Sequence, residues 1–377
     1  MKIVFTGGGT GGHFYPIIAI AEEINVIVRE RKMINVKLYY FSVEPYDEPA
    51  LFENNIKFER VPSGKWRRYF SLLNFIDLFK IIWGIITAII KLYFIYPDAV
   101  FSKGGYVSVP VVFAARLLRI PIFIHESDSQ PGRANLWAGR FARRIAVSYP
   151  EAVDFFKSRQ SKIIAVTGNP LRHILRYPIS QGARQFLGLE ENIPIVLILG
   201  GSQGAGVIND VVIDALPTLL SRYGVIHQVG AANLTTVKQR ARVVLEKNKF
   251  SNRYKLFGFL NSSALRMAAG AAVVVVSRAG SAIFEIAAWR IPAIIIPIPE
   301  TVSHDQRSNA FTYARSGAAV VIEQNNLLSS VLVSEIDRLI SQPKLLDTMR
   351  AAAGQFAKPQ AARLIADELM NIALSHE

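Results

Sequence analysis

One pattern constrains the fold more than any other, and it occurs twice: a short apolar run, a glycine-rich loop, then an amphipathic helix. Ile3-Val4-Phe5 breaks into Thr6-Gly7-Gly8-Gly9-Thr10-Gly11-Gly12-His13, and apolar residues then recur at Ile17, Ile18, Ile20, Ala21 and Ile24, with Pro16 near the first turn. Ile195 to Leu199 breaks into Gly200-Gly201-Ser202-Gln203-Gly204-Ala205-Gly206, and a helical pattern runs from Val207 to Leu220. An unbroken apolar run reads as a strand buried on both faces, as in a parallel sheet. The 3.6-residue spacing marks the helix that follows. Each copy therefore predicts the first strand of a doubly wound sheet, its loop at the carboxyl end where such folds bind ligands.

The alternation continues between and beyond the two copies. Lys37 to Ser42, Ala99 to Ser102, Ile122 to Ile124 and Arg144 to Ser148 read as strands, separated by helical stretches such as Val109 to Leu118 and Gln130 to Phe141. The second half adds strands at Val225 to Val229, Tyr254 to Phe257, Ala272 to Ser277, Ala293 to Pro297 and Ala319 to Ile322. A chain of 377 residues exceeds one ordinary core. The expectation is an α/β chain of two Rossmann-like domains, 1–166 and 167–342, with the turn chemistry of Thr167-Gly168-Asn169-Pro170-Leu171-Arg172 as the hinge. A helical segment, 343–377, is expected to pack back towards the first domain. Two such domains facing one another would place ligands in a shared cleft.

Composition narrows the function classes. Hydrophobic residues make up 51% and charged residues 19%, with a mean hydropathy of +0.26. No span reads as a transmembrane helix: Phe70 to Tyr96 is interrupted by Asp77, Lys80 and Lys91, and the uninterrupted run Ile81 to Ile90 is about half of the ~20 residues a bilayer core demands. Met1-Lys2 leads directly into a strand, which a secretory leader would not do. There is no cysteine, so disulfides and cysteine-ligated metals are excluded. A formal charge of +14 points to a polyanionic partner: nucleic acid, a phosphorylated small molecule or anionic lipid.

The loops carry the chemistry. Gly7-x-Gly9-x-x-Gly12 satisfies the dinucleotide fingerprint, which leaves an NAD-dependent oxidoreductase open. The acidic residue that fingerprint expects is missing, Glu44 standing too late, and His13 stands where a P-loop would have Lys. Such a loop lets a ligand approach backbone amides at a helix N-terminus. His13 is then a titratable group beside an anion site, either a catalytic base or a helix cap. The second loop offers amides plus Ser202 and Gln203 to a diphosphate. A third glycine turn, Ser102-Lys103-Gly104-Gly105-Tyr106-Val107-Ser108, also follows a strand. Ser277-Arg278-Ala279-Gly280-Ser281 precedes Glu285, a carboxylate suited to ribose hydroxyls or to a helix N-terminus. His304-Asp305-Gln306 opens another helix with groups that suit sugar hydroxyls or cap the helix. The expected ligand is a nucleotide diphosphate, with no metal and no cofactor required.

Taken in order, seven segments resemble glycosyltransferase family 28, the MurG-type N-acetylglucosaminyltransferases of peptidoglycan synthesis. They are Gly7 to His13 with Pro16, Phe101 to Pro110, His125-Glu126-Ser127-Asp128, Gly168 to Arg172, Gly200 to Ala205, Ser277 to Glu285, and Asp305-Gln306 to Asn309-Ala310. The resemblance implies a GT-B fold and an inverting transfer of N-acetylglucosamine from its UDP conjugate to the C4 hydroxyl of the N-acetylmuramic acid of lipid I, giving lipid II. It implies a peripheral location on the cytoplasmic face of the cell membrane, and no nucleic-acid partner. By the same resemblance Thr10, Gly11 and Gly12 contact the sugar and acceptor, His13 is the general base, and Arg172 and Ser202 hold the donor diphosphate. The backbone around Leu260 reads uracil, Glu285 the ribose and Gln306 the N-acetylglucosamine. Asp128 stands where many members carry an Asn that touches the sugar, so it can accept the same bonds but not donate.

The greasy segment of the first half gains a use in that setting. Trp66, Tyr69, Phe70, Leu72, Leu73, Phe75, Ile76 and Phe79 lie beside Lys65, Arg67 and Arg68, as an apolar surface rimmed by basic residues does at an anionic leaflet. Alternatives stay open: a lipid glycosyltransferase with a diacylglycerol-type acceptor, a UDP-sugar epimerase, or a nucleotide-sugar binder without turnover.

Overall fold

The computed structural model describes residues 1–64, 73–156, 163–201, 204–299 and 306–375. The chain divides into two compact units, Met1–His173 with Pro359–Glu377, and Ile174–Lys358. The division thus falls at His173 rather than between 166 and 167, and the turn at 167–172 stays with the first unit.

In the first unit, β1 (Lys2–Thr6), α1 (Gly11–Glu30), β2 (Lys37–Ser42), α2 (Glu48–Glu53), β3 (Ile56–Arg60), α3 (Leu73–Ile95), β4 (Ala99–Ser102), α4 (Val109–Leu117), β5 (Ile122–Glu126), α5 (Arg133–Gly139), β6 (Arg144–Val147) and β7 (Ile164–Val166) follow in order. The sheet runs β3-β2-β1-β4-β5-β6-β7, with every pairing parallel. β1 lies in the middle, Ile3 facing Leu38 on one side and Ala99 on the other. Alternate side chains serve opposite layers, as strand geometry requires. Ile3, Phe5 and Phe101 pack under α1, whereas Val4 and Val100 pack under Ala88 and Leu92 of α3 and Val111 and Val112 of α4.

The second unit holds α6 (Ala183–Phe186), β8 (Ile195–Leu199), α7 (Gly206–Leu219), β9 (Gly224–Gln228), α8 (Leu234–Val244), β10 (Tyr254–Phe257), α9 (Ser262–Ala271), β11 (Ala272–Ser277), α10 (Ala282–Trp289), β12 (Ala293–Ile295), α11 (Arg307–Arg315), β13 (Ala319–Val321), α12 (Ser329–Ile340) and α13 (Pro343–Phe356). Its sheet order is β10-β9-β8-β11-β12-β13, again parallel throughout. β8 is buried along its whole length, which is why its sequence is an unbroken apolar run.

The tail divides between the units. α13 stays with the second, where Phe356 packs on Phe284 and Tyr313. α14 (Ala361–Leu374) returns to the first and buries Ile365, Leu369 and Met370 in the core beneath α1. Arg363 pairs with Glu30 at 2.7 Å and Asp367 at 3.0 Å, and Arg31 with Asp367 at 2.8 Å, lacing α14 to the end of α1.

Local chemistry trims several expected elements. α5 starts only at Arg133, Gly132 before it being its extended N-cap, with φ −66° and ψ 150°. β12 ends at Ile295, two residues before Pro297. α3 extends through the expected apolar run, and within it Asp77–Ile95 is long and apolar enough to cross a membrane by length and composition alone. That correction to the sequence reading has a structural limit. Ala88 and Leu92 are fully buried against the sheet, and a Cβ on Gly84 would stand 1.9 Å from the Pro62 carbonyl oxygen. Lys91 pairs with Glu59 of β3 at 2.5 Å. One face of α3 is therefore part of the first unit's core.

Candidate functional site

In a doubly wound sheet the ligand crevice opens where strand order reverses. In the first unit that point lies between β1 and β4, and the glycine loops that follow them meet there. Tyr40 of β2 donates to the Gly7 carbonyl at 2.6 Å from beneath the first loop. Gly9 has a φ of +88°, and a Cβ there would stand 3.3 Å from the Tyr106 ring of the other loop. A Cβ on Gly105 would lie 3.9 Å from the His13 ring. Thr10 is the extended N-cap of α1, and Gly11, Gly12 and His13 form its first turn. Thr10, Gly11, Gly12 and His13 are thus gathered at one helix N-terminus.

The Thr10 hydroxyl and His13 Nδ1 are 3.0 Å apart. When Nδ1–H donates to that hydroxyl, the lone pair rests on Nε2, the state a general base needs.

Beyond the strand ends lies a buried polar cluster that sequence reasoning quoted but did not count as functional. Lys103 is 1% exposed, and its Nζ has no hydrogen-bond partner among the described residues. Burial pulls its pKa down to about 8, while Glu126 and Asp128 push it back up. Glu126, also buried, accepts from the Asp128 N–H at 2.9 Å, the Gly132 N–H at 3.0 Å and Asn135 Nδ2 at 2.9 Å. Burial and the neighbouring Asp128 raise its pKa, against those donors and Lys103. The carboxylate of Glu126 therefore shapes the loop that carries Asp128. His125 is fully buried, and burial holds its pKa well below 6.5, so it is neutral and donates from Nε2 to the Gly168 carbonyl at 3.0 Å. Arg172 lies in the same unit, its guanidinium 4.0 Å from the centre of the Tyr15 ring of α1.

In the second unit the reversal lies between β8 and β11. Gly200 donates to the Gln228 carbonyl at 2.9 Å, and Gly201 and Gly204 take φ of +76° and +77°. A Cβ on Gly204 would stand 2.1 Å from Asn233 Nδ2, so glycine is required there. Ser202 and Gln203 lie outside the described residues, as do His304 and Asp305. Glu285 sits in the first turn of α10, directly after the β11 loop. Gln306 caps α11, accepts the Ile298 N–H at 3.5 Å, and its Nε2 would lie 3.6 Å from a Cβ on Gly280. Gln306 and the 278–281 loop are therefore neighbours. Arg278 is committed to structure, donating to the Ile296 carbonyl at 3.1 Å and to Gln324 at 2.8 Å.

The Leu260 N–H donates to Gln228 Oε1 at 3.0 Å. Among the described residues no group of three or more His, Asp or Glu is placed to hold a metal ion.

Residues 3–147 match the glycosyltransferase family 28 N-terminal domain and residues 195–366 its C-terminal domain. The chain belongs to glycosyltransferase family 28. Curated members of the family extend the match end to end. The UDP-N-acetylglucosamine--N-acetylmuramyl-(pentapeptide) pyrophosphoryl-undecaprenol N-acetylglucosamine transferase of Treponema denticola is 35% identical, covering 97% of this chain and 96% of its own. Its counterpart in Clostridium kluyveri is 36% identical, over 97% and 98%. Among solved structures, MurG of Acinetobacter baumannii superposes with a TM-score of 0.71 at 24% identity, covering 98% of this chain and 99% of that one. A UDP-GlcNAc 2-epimerase of Neisseria meningitidis bound to UDP-GlcNAc reaches 0.70 at 14% identity, over 98% and 100%. Both structural likenesses speak for the fold alone: two parallel-sheet Rossmann-like units of the GT-B class.

Proposed function

We propose that this family 28 chain moves N-acetylglucosamine from UDP-N-acetylglucosamine to the C4 hydroxyl of the N-acetylmuramic acid of lipid I, giving lipid II with inversion at the anomeric carbon. One observation carries the reading: relatives named for this transfer are 35% and 36% identical over nearly the whole chain. His13 Nε2 takes the proton of the acceptor hydroxyl, and the oxygen attacks the anomeric carbon. The bond to the β-phosphate breaks as the new glycosidic bond forms, and UDP leaves with the electron pair. Amides of the 200–206 loop, Ser202 and Arg172 offset the charge that develops on the diphosphate. Glu285 accepts the ribose hydroxyls, and Gln306 holds the acetamido sugar. Thr10, Gly11, Gly12 and Asp128 attend the acceptor.

The proposal includes an anionic membrane surface on the cytoplasmic side as the place of work. Phe75, Phe79, Ile82, Trp83, Ile86, Ile90, Tyr93 and Phe94 of α3 are all exposed, at helical spacing, with exposed Phe113 and Leu117 of α4. Exposed Lys80, Arg116 and Arg119 supply positive charge on the same helices and at the end of α4. An apolar stripe with basic neighbours suits insertion to headgroup depth, the opposite face being tied into the core. The expected contribution of Trp66, Tyr69, Phe70, Leu72, Lys65, Arg67 and Arg68 falls outside the described residues.

A screen of nucleotide sugars against a short-chain lipid I analogue, read by nucleotide release, tests the reaction. UDP-N-acetylglucosamine should turn over, and turnover with another donor in its place would refute the assignment.

A further inference from the structure

One ammonium group lies buried where the loops of the first unit meet. Lys103 directly follows β4, and its N–H donates to the Thr6 carbonyl of β1 at 2.9 Å. A Cβ on Gly7 would stand 2.8 Å from the Lys103 Cβ, so the two strand ends are closely packed there. The side chain is 1% exposed, and its Nζ makes no hydrogen bond among the described residues. A buried ammonium without hydrogen bonds is costly, and nearby negative charge has to offset that cost. The carboxylates of Glu126 and Asp128 supply it, while His125, the remaining titratable neighbour, is neutral.

Glu126 ends β5 and is 4% exposed. Its two oxygens accept three N–H groups, from Asp128 at 2.9 Å, from Gly132 at 3.0 Å and from Asn135 Nδ2 at 2.9 Å. Acceptance on both oxygens is the arrangement of an ionised carboxylate. A proton there would remove acceptor capacity and loosen the 127–132 loop between β5 and α5. Asn135 in turn lies against the turn that follows Lys103. A Cβ on Gly104 would meet Asn135 Nδ2 at 2.7 Å, and a Cβ on Gly105 would lie 3.9 Å from the His13 ring. Close packing thus runs from Glu126 through Asn135 and the Gly104-Gly105 turn to His13. Burial and Asp128 both favour the protonated form of Glu126, and Lys103 opposes them.

We propose that Lys103 is a positioning residue for the transfer: its buried ammonium keeps Glu126 ionised, and Glu126 in that state holds the 127–132 loop and Asn135 against the turn that borders His13. The inference rests on the proposed transfer with His13 as base.

The test is kcat/KM for the lipid I analogue between about pH 6 and 9, for wild type, Lys103→Met, Lys103→Gln, Glu126→Gln and the double variant Lys103→Met/Glu126→Gln. Thermal unfolding identifies which variants are folded. Without the ammonium, Glu126 stays protonated at neutral pH. Both Lys103 variants should therefore lose about tenfold or more near pH 7 and recover as pH rises, the acid limb moving up by about one unit or more. Glu126→Gln, fixed in the neutral form, should lose about as much with no recovery, and adding Lys103→Met to it should cost nothing further. Infrared spectra read the charge without turnover: a protonated carboxyl band at neutral pH should appear in Lys103→Met and vanish in the double variant. A folded Lys103 variant with an unmoved acid limb, an additive double variant, or Glu126→Gln at the wild-type rate overturns the inference. A wild type without turnover fails the reaction reading instead, and the infrared band then decides by itself whether Lys103 sets the charge of Glu126.

Discussion

The base role proposed for His13 leans on a neighbouring hydroxyl. When Nδ1–H donates to the Thr10 hydroxyl 3.0 Å away, the lone pair rests on Nε2, and α1 fixes both residues within one turn. His13→Ala should lower kcat by about 100- to 10,000-fold while UDP binding is unchanged, measured by UDP release and by titration. Lys103 behaves differently. Its pKa is about 8 in the folded chain against an ordinary 10.5. Below about pH 8 both states carry the proton, and the cost of burying it is full. Between pH 8 and 10.5 the unfolded chain binds more protons, so stability rises with pH. The stability of wild type relative to Lys103→Met should therefore increase across that window by about 3 kcal/mol, read from denaturant midpoints at each pH. An unchanged difference would mean that Lys103 is solvated. His13 was legible because a glycine loop announces it. Lys103 was not, because what sets it apart is its burial beside Glu126 and Asp128, which no local pattern records.

At the scale of elements, α3 has one face in the core and one face exposed. Leu92 is fully buried, and Leu92→Ala should cost about 2–5 kcal/mol in chemical denaturation. Phe79 and Trp83 are each 60% exposed, and replacing both with Glu should leave the unfolding midpoint within about 0.5 kcal/mol. The same double variant should lose binding to anionic vesicles in sedimentation; retained binding would remove α3 from the membrane proposal. The sequence predicted the strands beside each glycine loop closely, since a central parallel strand is apolar throughout. β3 escaped notice because Ile56-Lys57-Phe58-Glu59-Arg60 sits at the sheet edge with only Ile56 fully buried. β7 escaped because it is three residues long, two of them exposed. The tail read as one helical segment, but Ala357 turns to an extended conformation and α13 and α14 end up in different units. Contacts across the chain decide that, not helix propensity.

For the molecule as a whole, the charge of +14 and the twin glycine loops fit the proposed handling of phosphorylated ligands. If the basic rim of α3 and α4 works by long-range attraction, vesicle binding should weaken steadily as salt approaches ~0.15 M, where the screening length falls to about 8 Å. The family 28 membership accounts for the order of the motifs, and the two parallel sheets account for why each motif follows a strand. The most direct test of the central claim is product analysis after incubation with UDP-N-acetylglucosamine and a short-chain lipid I analogue. The account predicts one UDP released per disaccharide formed, a β-linkage from the α-linked donor, and no disaccharide from His13→Ala above about one part in a hundred of the wild-type rate. An α-linked product, or UDP release at the full rate with no acceptor present, would contradict it.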